Sequence, residues 1–501
     1  LDLISSYNNS HANLPNASSH TELAIMHSTL FLSSISLCVT CTLASQVLNL
    51  HRRTFSQNAI SSAGASLDST TYGKIFDVEI EIGNQSFILL VDTGSSDLWV
   101  LSPDWQCFNT TSGDALPREG CALGNATYTP SPTFSQIPEE WLGAQYGSGT
   151  VSGIIGTENV TLAGITVRNQ TFGVGNLTSN PGDGTYDGII GFGYPSMTSS
   201  HPGLIANTNL TNDTLYADTV SYNPVVFSMY NQGLIEPYFS IAIERTSLNA
   251  SDGPGGYLAL GSLPPVSFDP NFAMTPVVIP PVPVNYTGGS QTYSWWAITV
   301  EAILYGTNGS ATGSGSSQLV TNSTPFEAIV DTGNFFTFLP GTIATAINNA
   351  FDPPAVAIPD SLPLQYAVGC SATPPPFALQ IGGREFFHNP ADMIYSNGDG
   401  SCVSSVVNQD GESFAGVSGS IIGDPLLKNV VAVFDFGRNE MRFAPREQNT
   451  TGTVNSSSVP ATTPTSVFSS GVVSAGKLDA LLCGWSLAVG CMVVYSVFGE
   501  V

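Results

Sequence analysis

Phe87-Ile88-Leu89-Leu90-Val91-Asp92-Thr93-Gly94-Ser95 is an apolar run that stops at a carboxylate, a hydroxyl and a glycine. The same order returns at Ala328-Ile329-Val330-Asp331-Thr332-Gly333-Asn334. Well downstream of each copy lies an apolar pair closed by glycine, Ile189-Ile190-Gly191 after the first and Ile421-Ile422-Gly423 after the second. A single Asp-Thr-Gly is ordinary turn chemistry. Two copies inside a repeat of this length indicate a duplicated lobe, each half contributing one carboxylate.

The chemistry of that arrangement follows from the residue types. Glycine permits close backbone approach, so the preceding Asp can be held at a lobe interface. Threonine carries a donor and an acceptor and can bond across to the opposite loop. Two such loops face to face bring Asp92 and Asp331 within contact distance. Like charges that close cannot both ionise, so the pair shares a proton. One member can then act as general base on a water and the other as general acid.

Around these motifs the chain reads as β-structure. Short runs rich in Val, Ile, Thr and aromatics, such as 75–82, 87–91, 150–155 and 160–167, are separated by Gly, Asn, Pro and Ser. Stretches 225–233 and 341–351 are short helix candidates, and 195–220 and 306–324 resemble surface insertions. An all-β, two-lobed body is expected, with an N-terminal lobe over 72–243 and a C-terminal lobe over 244–446. It would be a monomer.

The 501 residues are 42 % hydrophobic and only 10 % charged, with 38 acidic against 12 basic side chains and a net charge of −26. Such a polyanion is repelled by nucleic acid and by anionic membrane surfaces. Glycosylation triplets recur from Asn84 and Asn109 through to Asn322, which favours the secretory route and an extracellular or surface location. Cys107, Cys121, Cys370 and Cys402 lie in polar sequence, whereas Cys38, Cys41, Cys483 and Cys491 lie in apolar end segments. The simplest pairing of the first four is two local loops, Cys107–Cys121 and Cys370–Cys402, although three connectivities are open to four cysteines. Neither C-x-x-C spacing nor a neighbouring His supports a metal among them, and no metal or cofactor is expected.

The ends read as addresses. Residues 26–44 are apolar and close on small residues, a signal peptide with cleavage near Ala44; residues 45–71 form a short segment containing the dibasic pair Arg52-Arg53. A Ser/Thr-rich stalk covers 447–476. Within 477–501 comes an uncharged run over 480–498, with Ser469-Ser470-Gly471 upstream. That pattern matches a glycolipid-anchor signal, and its length also meets the lower bound for a membrane helix. Contact with a membrane would be through this tail alone.

On these residues the chain resembles the pepsin-like aspartic proteases, particularly the secreted fungal ones, from about Tyr72 to Pro445. Val91-Asp92-Thr93-Gly94-Ser95-Ser96-Asp97-Leu98-Trp99-Val100 is the most specific stretch, followed by Ala328 to Gly333 with Thr337, Leu339 and Pro340. Gln145-Tyr146-Gly147-Ser148-Gly149-Thr150 is similar to the family's flap hairpin, which folds over substrate. Asp187 to Gly193, Ile421 to Asp424, Val433 to Phe436 and Arg442 to Pro445 resemble its other recurring elements.

The resemblance implies an endopeptidase acting on polypeptides at acid pH, with Asp92 and Asp331 activating a water. It further implies interlocking roles for Thr93 and Thr332, a hydrogen bond from Ser95 to Asp92, and a flap Tyr146 whose hydroxyl pairs with an indole, here Trp99. The two local disulfides match pairings common in that family. Asn334 and Phe335 depart from it, standing where it has two small hydroxyl residues. An Asn amide can still donate to Asp331; the alternative is that Asn334 only caps the turn after Gly333. Only about nine residues separate Ala44 from Arg53, far short of an inhibitory prosegment.

Rival classes leave little trace. G-x-S-x-G and H-E-x-x-H are absent, and His201 and His388 read as surface residues. The remaining rival is a silent surface-binding protein on the same fold, against which both Asp residues and Tyr146 argue.

Overall fold

The computed structural model describes residues 63–447, apart from 110–111, 204–218, 280–291, 308–318, 360, 362 and 411–418. The signal segment, the Arg52-Arg53 pair, the stalk beyond 447 and the anchor tail therefore lie outside the described residues, as do the middles of the two proposed insertions.

Strand formation follows the alternation of side chains. In Ile75–Ile82 the residues Phe76, Val78, Ile80 and Ile82 turn inward and are buried, while Glu79 and Glu81 face water. Phe87, Leu89 and Val91 do the same in Gln85–Asp92. Val430–Asp435 is buried along its whole length, as expected of a strand covered on both faces. The helix candidates become Val225–Asn231 and Gly341–Asn349; the second follows Pro340 and buries Ile343, Ala344 and Ile347 on one stripe.

Among the described residues the largest sheet has 15 strands and crosses from one half of the sequence to the other. Gly64–Thr70 pairs antiparallel with Gly253–Leu260, that strand with Tyr238–Ile243, and that in turn with Val430–Asp435. Phe239 stacks on Phe434 at 4.6 Å, with Trp296 edge-on to both, so the core runs beneath this shared sheet. Residues 243 and 244 therefore fall at the end of a sheet strand. The folded body also begins before 72. Gly64–Thr70 carries a single large apolar residue, Leu67, so its strand character comes from backbone pairing on both sides, which no hydrophobic pattern announces.

The repeat has a structural counterpart. Gln85–Asp92 runs parallel to Gly188–Gly191, with Val91 opposite Ile190 and Asp92 opposite Gly191. Phe326–Val330 runs parallel to Ser420–Ile422, with Ile329 opposite Ile421 and Val330 opposite Ile422. In both halves the strand after the Asp-Thr-Gly returns antiparallel to the same partner, Leu98 opposite Ile190 and Thr337 opposite Ile422. This is a bilobal, sheet-rich architecture with each Asp-Thr-Gly at the mouth of its strand.

Disulfides join Cys107 to Cys121 and Cys370 to Cys402, with Cα separations of 5.8 and 5.2 Å. The two histidines correct the sequence reading. His201 is 2 % exposed, stacks on Trp141 at 4.6 Å and sits on the edge strand Ser200–Pro202. His388 is 6 % exposed against Phe377, and burial pushes its imidazole down to about 4. Flanking Ser, Pro, Phe and Asn gave neither position a clear periodicity; strand pairing brings Trp141 over His201, and a local hairpin brings Phe377 over His388.

Candidate active site

The two Asp-Thr-Gly loops meet. Thr93 Oγ1 donates to the Val330 carbonyl at 2.9 Å and accepts from the Thr332 amide at 3.0 Å. Thr332 Oγ1 donates to the Val91 carbonyl at 2.7 Å and accepts from the Thr93 amide at 3.0 Å. Both threonines are buried, so four polar backbone groups at the lobe interface are satisfied by two hydroxyls. The glycines explain the closeness of the loops. A Cβ on Gly94 would lie 2.5 Å from Asp331 Cγ, and one on Gly333 would lie 2.6 Å from Asp92 Oδ1.

Above this floor the carboxyls of Asp92 and Asp331 face each other, each packed against the glycine of the opposite loop. Asp92 Oδ1 accepts from the Gly94 amide at 2.8 Å and its Oδ2 from Ser95 Oγ at 2.5 Å. Asp331 Oδ1 accepts from the Gly333 amide at 2.8 Å. Burial raises both carboxyls above the ordinary range. For Asp92 the donors from Ser95, Asp331 and Gly94 oppose that rise. For Asp331 the negative charge of Asp92 adds to it and holds the group well up. The pair therefore holds a shared proton above the ordinary carboxylate range, and Asp331 is the member favoured to carry it.

Asn334 does not take part. Its Oδ1 accepts from the Phe336 amide at 3.0 Å, and among the described residues it makes no hydrogen bond with Asp331. The expected support of Asp331 by the Asn334 amide is thus corrected to the turn-capping alternative. An Asn oxygen two residues before a free amide closes an Asx turn, and that local bond wins over a longer reach.

The hairpin of Ser135–Gln145 and Thr150–Leu162 is closed by the Tyr146 amide donating to the Gly149 carbonyl at 2.7 Å, with Gly147 and Ser148 exposed at its tip. Trp99 Nε1 donates to the Tyr146 hydroxyl at 2.7 Å. This bond ties the hairpin to the strand that follows Ser95.

Three contributors escaped the sequence reading. Trp295 Nε1 donates to the Gly94 carbonyl at 3.1 Å; the pair Trp295-Trp296 was the available signal. Asp97, two residues past Ser95, is buried and accepts from Tyr222 Oη at 2.5 Å and from the Ser199 amide at 2.8 Å. Asp424 is buried with neither carboxylate oxygen hydrogen-bonded among the described residues, and its charge adds to the rise at Asp331. In the sequence, the motif Ile421 to Asp424 signals chiefly through its apolar residues.

Comparison with known proteins gives a consistent picture. Residues 75–446 match the model of the eukaryotic aspartyl protease family. A probable aspartic-type endopeptidase of Aspergillus fumigatus is 38 % identical over 392 residues, covering 77 % of this chain and 82 % of that protein. Rhizopuspepsin of Rhizopus chinensis is 26 % identical over 414 residues, covering 80 % and 86 %. The crystal structure of the aspartic proteinase from Irpex lacteus superposes with a TM-score of 0.55 at 22 % identity, covering 78 % of this chain and 99 % of that one, a likeness of fold.

Proposed function

The chain belongs to the eukaryotic aspartyl protease family and is an aspartic-type endopeptidase acting on polypeptides, and we propose that Asp92 and Asp331 are its catalytic carboxylates. The observation that carries this assignment is the meeting of the two carboxyls above the crossed threonines, each lying against the opposite loop's glycine.

A water held between the carboxyls loses a proton to Asp92 as its oxygen attacks the scissile carbonyl carbon. The proton of Asp331 passes to the carbonyl oxygen, leaving a neutral gem-diol. Breakdown returns a diol proton to Asp331 while Asp92 hands its proton to the leaving amide nitrogen and the C–N bond breaks. Ser95 and Gly94 steady the charge on Asp92, and Thr93 and Thr332 hold the loops in register. Gly333 leaves room for Asp92. Tyr146 and Gly147 close over bound peptide, with Trp99 holding the phenol. Asn334 caps its turn.

Hydrolysis of an unstructured protein at acid pH, inhibited by statine-type compounds and undiminished by a chelator, is the expected result. Intact substrate under those conditions would overturn the assignment.

The domain division at about 243, a monomeric state and passage through the secretory route complete the reading, the last supported by the two disulfides. The tail after about Ser469 is read as replaced by a glycolipid. Release from cells by an anchor-specific phospholipase is expected; a tail peptide recovered in the membrane would contradict it.

A further inference from the structure

The chain has only three lysines, Lys74, Lys428 and Lys477, against 38 acidic residues. The two in the described body converge on one junction between the halves of the molecule. Lys74 follows a turn in which Thr71, Tyr72 and Gly73 are all left-handed, with φ of 51°, 60° and 77°. Such a turn is held by its surroundings rather than by local preference. Lys428 supplies part of that hold, donating from Nζ to the Gly73 carbonyl at 2.6 Å and to Tyr395 Oη at 3.0 Å.

Tyr395 stands edge-on to Phe335 at 5.9 Å, and the Lys74 ammonium lies over the Phe335 ring at 5.3 Å. Phe335 is half-buried and follows the exposed Gly333, on the loop that carries Asp331. Ile75, next to Lys74, packs on the cluster that also supports Tyr146. Lys74 therefore lies beside the loop that carries Asp331, next in sequence to a residue packed on the cluster that supports Tyr146.

The ammonium is poorly compensated for a side chain 8 % exposed. Its one hydrogen bond among the described residues is to Asn397 Oδ1 at 3.2 Å, which leaves two N–H donors. Asp399 is near enough to favour the charge but makes no ion pair with it; its Oδ1 accepts instead from the amide and hydroxyl of Ser401. Lys428 is of the same sign and opposes the charge, and burial lowers the basicity of Lys74 further. A buried cation without a carboxylate is costly, and a ligand that brings one relieves the cost.

We propose that Lys74 and Phe335 form a subsite for an acidic residue of the substrate, an Asp or Glu side chain whose carboxylate meets the Lys74 ammonium while its methylenes lie on the Phe335 ring. The departure from a small hydroxyl residue at 335 then has a purpose: the ring builds the wall against which the cation is presented. The inference rests on the reading of the Asp92–Asp331 cleft as the peptide-binding site.

The test uses the purified protein and end-blocked peptides of about eight residues carrying a single Glu or the matched Gln at successive positions. Near pH 5 the Glu side chain is mostly ionised. At one position the Glu peptide should be cleaved with kcat/KM about tenfold above its Gln partner, the scale of a charged hydrogen bond. Lys74→Met should bring the ratio to about one while leaving the Gln peptides within about twofold, and Lys74→Arg should retain a preference. In the unaltered protein the ratio should fall as pH drops below about 4, where the peptide carboxylate protonates. Cleavage of all peptides with no Glu preference would overturn the subsite and leave the endopeptidase reading standing. A Lys74→Met variant that loses Glu and Gln peptides alike would show that the lysine only ties the halves together. No cleavage of any peptide would overturn the underlying reading as well.

Discussion

The two Asp-Thr-Gly loops are alike in everything the backbone does and unlike in what their next side chains do. Each Asp ends a strand paired in parallel with an Ile-Ile strand, each Gly amide donates to its own Asp, and each Thr bonds across to the other loop. Beyond the glycine they diverge. Ser95 turns back to Asp92 at 2.5 Å, whereas Asn334 turns forward to the Phe336 amide. Ser96 is buried and donates to the Tyr194 carbonyl, while Phe335 is half-buried beside Lys74. A symmetric scaffold thus carries an asymmetric pair of acids, with ionised Asp92 favoured on one side and protonated Asp331 on the other. The difference teaches that duplication supplies the meeting of the loops, while the Ser95 hydroxyl after the first glycine helps tip the charge toward Asp92.

The largest expected effect tests whether both halves of the pair are needed. Asp92→Asn and Asp331→Asn should each lower kcat by roughly 10³-fold or more, since each removes a proton carrier. Thermal unfolding should be little changed. Turnover surviving in either variant would break the comparison at its root.

The crossed threonines test the symmetric part. Thr93→Val and Thr332→Val each leave a buried carbonyl and a buried amide unpaired, at about 1–3 kcal/mol per group. Denaturant unfolding should therefore show two similar losses of roughly 3 kcal/mol. A large loss from one variant and none from the other would show that the scaffold is not symmetric.

The smallest effect sharpens the asymmetry. Ser95 donates to the charged form of Asp92 and holds its pKa down against burial. Removing that donor raises the pKa, so the low-pH limb of kcat/KM, which requires ionised Asp92, moves upward in Ser95→Ala. Activity at the acid end should fall about tenfold. Asn334→Ala should leave that limb where it is and cost about 1 kcal/mol of stability through the lost turn bond. Equal shifts of the acid limb in both variants would remove the distinction.

Much of this was legible before any coordinates. The apolar alternation in 75–82 and 87–91 announced strands because side chains on a strand alternate between faces. Repetition of Asp-Thr-Gly announced two facing carboxylates, and the motif around Trp99 and Tyr146 marked residues that do bond. Gly64–Thr70 was not legible, because its strand character comes from neighbours on both sides. His201 and His388 do not read as buried because strand pairing, which the local pattern does not show, sets Trp141 and Phe377 against them.

By itself, then, the sequence determined the all-β class, the duplication and the positions of the two facing carboxylates, since each is written in local periodicity or in a repeated motif. Only the tertiary structure decided the direction of the Asn334 amide, the lack of a hydrogen bond to the Asp424 carboxyl among the described residues, and the meeting of Lys74 with Phe335. For Asn334, two hydrogen bonds of similar worth were open, and geometry chose between them. For Asp424 and Lys74 the decisive neighbours come from remote parts of the chain. Chain folding sets those distances, and a local pattern of residues does not encode them.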